Sequence, residues 1–268
     1  MTSLTRVSSS ETAPVVPLWV RMEVVLRAFW IQASLNYQSM QGLGRLVCLL
    51  PVMRWLSLPG KEFASFVRRH SGLFNSNPFV ATLGLGALAR LEFDRNANPE
   101  SVPDGMIERF SERVSTPLGS VGDELFWVTL RPHAVLVGSV GALLTGAWGA
   151  CLLLVVFGVW QGYYRWNSFT WGWAAGARIA AVLQSERFRR PAKYAGWIAS
   201  GCAGAAVALL LVNSPAGALT AKAQVVAFGG AFAGACAALS QRKPATWALL
   251  AAVGWAIVVS FGAKMLRG

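Results

Sequence analysis

Charge is scarce in this chain. Only 13% of its 268 residues are Asp, Glu, Lys or Arg, against about 25% in an ordinary soluble domain. Acids are scarcer still, 12 against 24 bases, for a formal net charge of +12. Histidine occurs only as His70 and His133, far apart. The four cysteines, Cys48, Cys151, Cys202 and Cys236, have no CxxC spacing and lie among apolar neighbours, as small core hydrophobes do. These shortages argue against a zinc site and a disulfide framework. No Ser–His–Asp set or phosphate-cradling glycine loop appears either, so no cofactor or metal is expected. The bases do not gather in an aromatic-interleaved domain, so nucleic acid is not an expected partner. The opening "MTSLTRVSSSETAPVVP" lacks the basic start and apolar core of a signal peptide. Residues 1–16 read as a disordered, cytoplasmic tail.

Apolar residues are what the chain has in quantity. They make up 54% of it, with 12 tryptophans and a mean hydropathy of +0.47. That balance points to an integral membrane protein, and the surplus of bases fits its cytoplasmic loops. The expected fold is all-α and polytopic. It has amphipathic N-terminal helices, re-entrant or broken helices, and about four C-terminal apolar segments.

Residues 17–57 are helical in pattern but too polar for a lipid-facing span. In "KEFASFVRRHSGLF" (61–74), Phe63, Phe66, Val67, His70 and Phe74 share a stripe, with Arg68 and Arg69 off it. His70 reads as a packed or capping residue. Asn75 to Pro78 signal a turn or helix start. The run Phe79–Leu91 is too short to span a bilayer and fits a re-entrant segment buried in protein. Residues 92–105 read as a polar loop, and Pro117, Gly119 and Gly122 as a break in the helix that follows.

Ala134–Trp160 offers 27 residues without a charge, enough for a first long span. Its Gly138, Gly141, Gly146 and Gly149 give small faces for close helix contact. Residues 161–194 mix interfacial aromatics with bases and suit a cytoplasmic side. Apolar segments near 195–212, 225–239 and 245–263 complete a C-terminal transmembrane region, 195–268.

Two polar clusters interrupt this apolar background. One is amide-rich: Asn36, Gln41, Asn75 and Asn77. The other is "SVGDELFWVTLRPH", with Asp123, Glu124 and Arg131. Polar groups at membrane depth are costly and face a cavity or a partner. Amides and carboxylates are also the groups that bond sugar hydroxyls. A plainer reading has Asp123 capping a helix that starts near Glu124, with Arg131 paired to it or snorkelling. His133 lies nine residues beyond Glu124, so no simple helical face collects Asp123, Glu124 and His133 into an acid–base set.

Four stretches carry a resemblance. "FWIQASLNYQSMQGLG" (29–44), "RRHSGLFNSNPFVATLGLGALARLE" (68–92), "TPLGSVGDELFWVTLRP" (116–132) and "RWNSFTWGWAAG" (165–176) occur in the order and spacing of one family. They resemble the IID component of the mannose/fructose/sorbose family of the bacterial sugar phosphotransferase system. The match covers residues 20–176, within a family-like region of 17–194.

The resemblance implies a multi-pass subunit of the bacterial cytoplasmic membrane. It would pair with a IIC membrane subunit to import a hexose-type sugar. IIA and IIB phosphocarriers would couple uptake to phosphorylation, and IID itself would carry no phosphorylated or catalytic residue. Asn36, Gln41, Asn75, Asn77, Asp123, Glu124 and Arg131 would shape the translocation core. The family usually has Glu-Arg where this chain has Gln38-Ser39, and a small residue where it has Glu124. An alternative is therefore a divergent membrane scaffold or regulatory subunit without sugar transport.

Overall fold

The computed structural model describes residues 15–212. These are helical, with no strand among them beyond two isolated bridges, Asn36–Met40 and Met40–Phe74. The segments expected at 225–239 and 245–263 and most of the N-terminal tail lie outside the described residues. The chain divides into two compact units. One comprises residues up to Ser120 together with Tyr164–Leu183; the other comprises Val121–Tyr163 and the chain from Gln184.

The first unit contains α1 (Leu18–Ala28), α2 (Gly42–Trp55), α3 (Gly60–Ser71), α4 (Ala81–Ala97) and most of α5 (Met106–Asp123). It also takes the last turns of α7 (Ala147–Ala175) and the short α8 (Ile179–Leu183). At its centre lies α4, whose residues from Ala81 to Ala89 are all buried. The burial in protein expected of Phe79–Leu91 is thus what the structure shows. Small residues permit it. A Cβ at Gly86 would run into the Phe169 carbonyl, and one at Gly172 into the Leu83 carbonyl. Backbone meets backbone there, the close approach that small residues allow.

α1 buries Val20, Val24, Val25 and Ala28, yet its outer face also carries Leu18, Trp19, Met22 and Leu26 exposed. α2 tolerates Pro51 in its interior. Proline has no N–H for the carbonyl four residues back. That carbonyl belongs to Val47, and the Arg27 guanidinium donates to it at 3.0 Å.

One reading of this region is corrected: residues 92–97 are not loop but the last turns of α4. Arg69, off the apolar stripe of α3, is nonetheless buried, in an ion pair described below.

The second unit holds a π-helical segment (Glu124–Leu130), α6 (Arg131–Thr145), the first part of α7, and α9 (Glu186–Val212). The break expected at 117–122 is absent: helix runs unbroken from Met106 to Thr145. Pro117 sits inside α5. A wide π turn lies farther on, just ahead of Pro132. There the Arg131 N–H reaches back to the Phe126 carbonyl, five residues away. A proline ring collides with the carbonyl four residues behind it in an α-helix, and a π turn moves that carbonyl aside. Asp123 has helical backbone angles and makes no cap bond, so the capping reading fails as well.

The uncharged run 134–160 is two helices rather than one span. Gly146, at φ +69°, ends α6, a conformation that glycine adopts without steric penalty. The glycine faces do serve close packing. A Cβ at Gly138 would meet Leu153, and one at Gly141 would meet the Gly149 carbonyl. Residues Met106–Thr145 and Ala147–Leu183 are long and apolar enough to cross a membrane. Of the cysteines, Cys48 is buried, and burial pushes its thiol up to about 12. Cys151 is exposed and Cys202 half-buried.

Gly86→Val and Gly172→Val should each cost at least the ~1–3 kcal/mol typical of overpacking. Gly60→Val, where a Cβ meets nothing within 4 Å, should be far milder. Thermal unfolding midpoints in detergent would check this; equal midpoints for all three would refute it.

Candidate functional site

The amide cluster is assembled from two loops of the first unit. The segment after α1 turns back at residues 36–40. Asn36 makes that turn with its own carboxamide. Its Oδ1 accepts from the N–H groups of Gln38 (3.0 Å) and Ser39 (2.8 Å), and its Nδ2 donates to the Ser34 carbonyl (3.1 Å). Asn36 is therefore committed to shaping the turn. Met40, at φ +53°, is held in the left-handed region, uncommon for a side chain of its size. Bridges to Asn36 and Phe74 on its two sides hold it there.

The second loop, residues 72–80, lies along this turn. The Phe74 N–H donates to the Ser39 carbonyl at 3.1 Å, and the Gln41 N–H to the Phe74 carbonyl at 2.8 Å. Gln41 Nε2 donates to the Ser76 carbonyl at 2.6 Å, while its buried Oε1 has no partner among the described residues. Asn77 is buried and starts α4: its Oδ1 accepts from the Phe79 N–H at 3.0 Å. Asn75 is the one exposed residue between Phe74 and Val80. The two loops that carry Asn36, Gln41, Asn75 and Asn77 thus lie side by side.

Asp123, Glu124 and Arg131 belong to the second unit. All three are exposed, and the Arg131 guanidinium lies over the Trp127 ring at 5.2 Å. His133 is buried and hydrogen-bonded to the Ala195 backbone, so it packs while the two acids face outward.

A buried charge network underlies the amide loops, and the sequence reading missed its central member. Glu92 on α4 accepts from Arg69 Nε and Nη2, both at 2.8 Å. His70 Nε2 lies 2.8 Å from the same carboxylate. Glu92 and Arg69 are nearly fully buried and His70 completely so. Burial pushes the Glu92 carboxyl up, but the His70 and Arg69 hydrogen bonds outweigh it and hold it below its ordinary range. Burial, only partly opposed by Glu92, holds the His70 imidazole below its ordinary value. The arrangement is an ionised Arg69–Glu92 pair with a neutral His70 donating to it.

Arg45, fully buried on α2, completes the network. Its Nε donates to the His70 carbonyl at 3.0 Å, its Nη2 to the Gly72 carbonyl at 3.2 Å, and its Nη1 to the Ser111 hydroxyl. Burial lowers it to about 10, against the pull of Glu112 and Glu108, so it stays charged at neutral pH. One signal could have exposed the network: in a chain this poor in acids, Glu92 follows an apolar run and "RRH" precedes it.

Glu92→Gln should cost about 3–5 kcal/mol, because it strands a buried guanidinium. The double variant Arg69→Met/Glu92→Leu should lose less than the single one. Chemical unfolding in detergent distinguishes them, and the reverse order would refute the pairing. The pH response follows from linkage. Unfolded His70 titrates near 6.5, above its folded value. The unfolded chain therefore takes up this proton first, and stability falls as pH drops below about 6.5. Glu92 acts in the same direction, its contribution present above its ordinary 4.5 and lost as pH falls through its lower folded value. Between pH 7 and 5 the unfolding midpoint should fall more steeply in the native protein than in His70→Gln. Equal slopes would refute the assignment of a neutral His70.

Known proteins place this architecture. Residues 20–226 match the family model of the PTS system mannose/fructose/sorbose family IID component. The chain is 32% identical over 157 residues to the mannose-specific EIID component of Escherichia coli K12, covering 58% of this chain and 55% of that one. It is 31% identical over 160 residues to the sorbose-specific EIID component of Lacticaseibacillus casei, covering 59% and 56%. The aligned part thus spans little more than half the length of these relatives. Among solved structures, the mannose transporter ManYZ in complex with microcin E492 is similar at TM-score 0.57 and 28% identity, over 72% of this chain and 70% of that one. A membrane protein of 29% identity is similar at TM-score 0.61, over 71% and 70%. The chain belongs to the mannose/fructose/sorbose family of phosphotransferase-system IID components, a family of sugar-transport membrane proteins.

Proposed function

We propose that this chain is the IID subunit of a sugar-importing permease in a bacterial cytoplasmic membrane. It works paired with a IIC membrane subunit, and IIA and IIB phosphocarriers phosphorylate the incoming hexose-type sugar. The observation that carries the reading is the amide loop pair, two adjoining loops of the first unit that carry Asn36, Gln41, Asn75 and Asn77. Carboxamides both donate and accept, as sugar hydroxyls require. Relatives named for mannose, sorbose and fructose support the same substrate class.

Within this reading the four amides have unequal parts. Asn36 and Asn77 build the loops, Gln41 joins them, and Asn75 reaches outward. Asp123, Glu124 and Arg131 are assigned to the translocation core as well, on their exposure in the second unit.

The test is coexpression with IIC, IIA and IIB subunits, copurification, and phosphorylation of mannose, sorbose or fructose in membranes. Copurification with phosphorylation of at least one sugar is the expected result; an assembled complex inert toward all three would overturn the reading. Asp123→Ala should reduce uptake or assembly. Normal uptake by an intact Asp123→Ala complex would remove that residue from the core.

A further inference from the structure

Two buried serines, Ser111 and Ser115, lie one helical turn apart on α5. Neither was singled out by its sequence, and both fasten the loop that carries Asn75. Ser111 receives Arg45, whose other donors hold the carbonyls of His70 and Gly72 at the start of the loop. Ser115 acts on Asn75 directly. Its hydroxyl accepts from the Asn75 N–H at 2.7 Å and donates to the Asn75 carbonyl at 2.5 Å.

This double bond is unusual for what it secures. Asn75 is exposed, whereas Phe74 and every residue from Ser76 to Val80 are buried. Both bonds are part-buried, and they tie the backbone of an exposed residue to a buried hydroxyl. Its effect is positional. With Phe74 packed beneath the Arg45 guanidinium (5.1 Å) and the backbone of Asn75 gripped at both polar groups, the carboxamide projects from a fixed root. A contact pre-set in this way binds a ligand with less ordering cost than a mobile one.

We propose that Ser115 is a positioning residue: it fixes Asn75 as a pre-organised contact for a sugar hydroxyl. The inference rests on the sugar-transport reading above. Ser115 itself touches no sugar.

The experiment uses the full chain in its permease complex and has two arms. The first reads hydrogen exchange across residues 72–77 in detergent. Ser115→Ala should raise exchange there about tenfold or more, since one backbone anchor opens freely, while α4 keeps its protection. Alanine is a strong helix former, so α5 should survive the change. Ser115→Thr, which keeps a hydroxyl, should restore the slow exchange. The second arm measures uptake of mannose, sorbose and fructose. Ser115→Ala should raise KM roughly 5- to 20-fold with the maximal rate nearly unchanged, and Ser115→Thr should return it towards the native value. Unchanged exchange in Ser115→Ala overturns the clamp. Faster exchange with an unaltered KM overturns the positioning role. A native complex that takes up none of the three sugars overturns the transport reading and the sugar contact with it, while the exchange arm still decides the clamp.

Discussion

The first unit depends on taking a few charges out of water at a bearable cost. An isolated guanidinium or carboxylate in such surroundings would be prohibitively unfavourable. Arg69 and Glu92 meet through two parallel bonds, the strongest geometry available to this pair. His70 uses a remaining lone pair of the carboxylate. Because Glu92 stands on α4 and Arg69 on α3, the pair sets the register of the buried central helix against its neighbour. Arg45 then spreads its donors over the end of α3, the loop beyond it and α5.

The amide loops inherit their order from this base. Residues 36–41 and 72–77 form no regular strand, yet most of their backbone groups have a partner. Such segments are usually the mobile part of a protein. Here an arginine below, a serine behind and a strained Met40 in front leave little freedom. A left-handed methionine persists only where its surroundings over-determine it. The result is a bonded irregular segment in an otherwise helical unit, with Gln38 and Asn75 exposed along it.

The second unit works by different means. Its charged groups among the described residues face outward, and close packing of small residues joins α6 to α7. Glycines at 138, 141 and 149 bring α6 and α7 to near backbone contact around the turn at Gly146. The π segment ahead of Pro132 keeps a proline-bearing helix continuous. That accommodation was illegible in the sequence: proline announces a lost hydrogen bond, but not whether the chain stops, bends or widens to absorb it.

Composition and pattern by themselves determined the class. Low charge, many tryptophans and uncharged runs mean membrane and helix, whatever the packing. Four ordered motifs carried the family, and the amide residues were recognisable as polar groups out of place. What only the tertiary structure decided is how each polar group is used. Periodicity cannot distinguish a solvated arginine from one bonded to an acid 23 residues away, so the pairing of Arg69 with Glu92 was illegible. It cannot split Ala134–Trp160 at one glycine among several, since φ at Gly146 is set by how the two helices pack. Nor can it show that Ser115, an ordinary helical serine, grips Asn75 across 40 residues of chain. Hydrogen bonds are directional and short-ranged, so which groups find one another depends on where the helices finally lie.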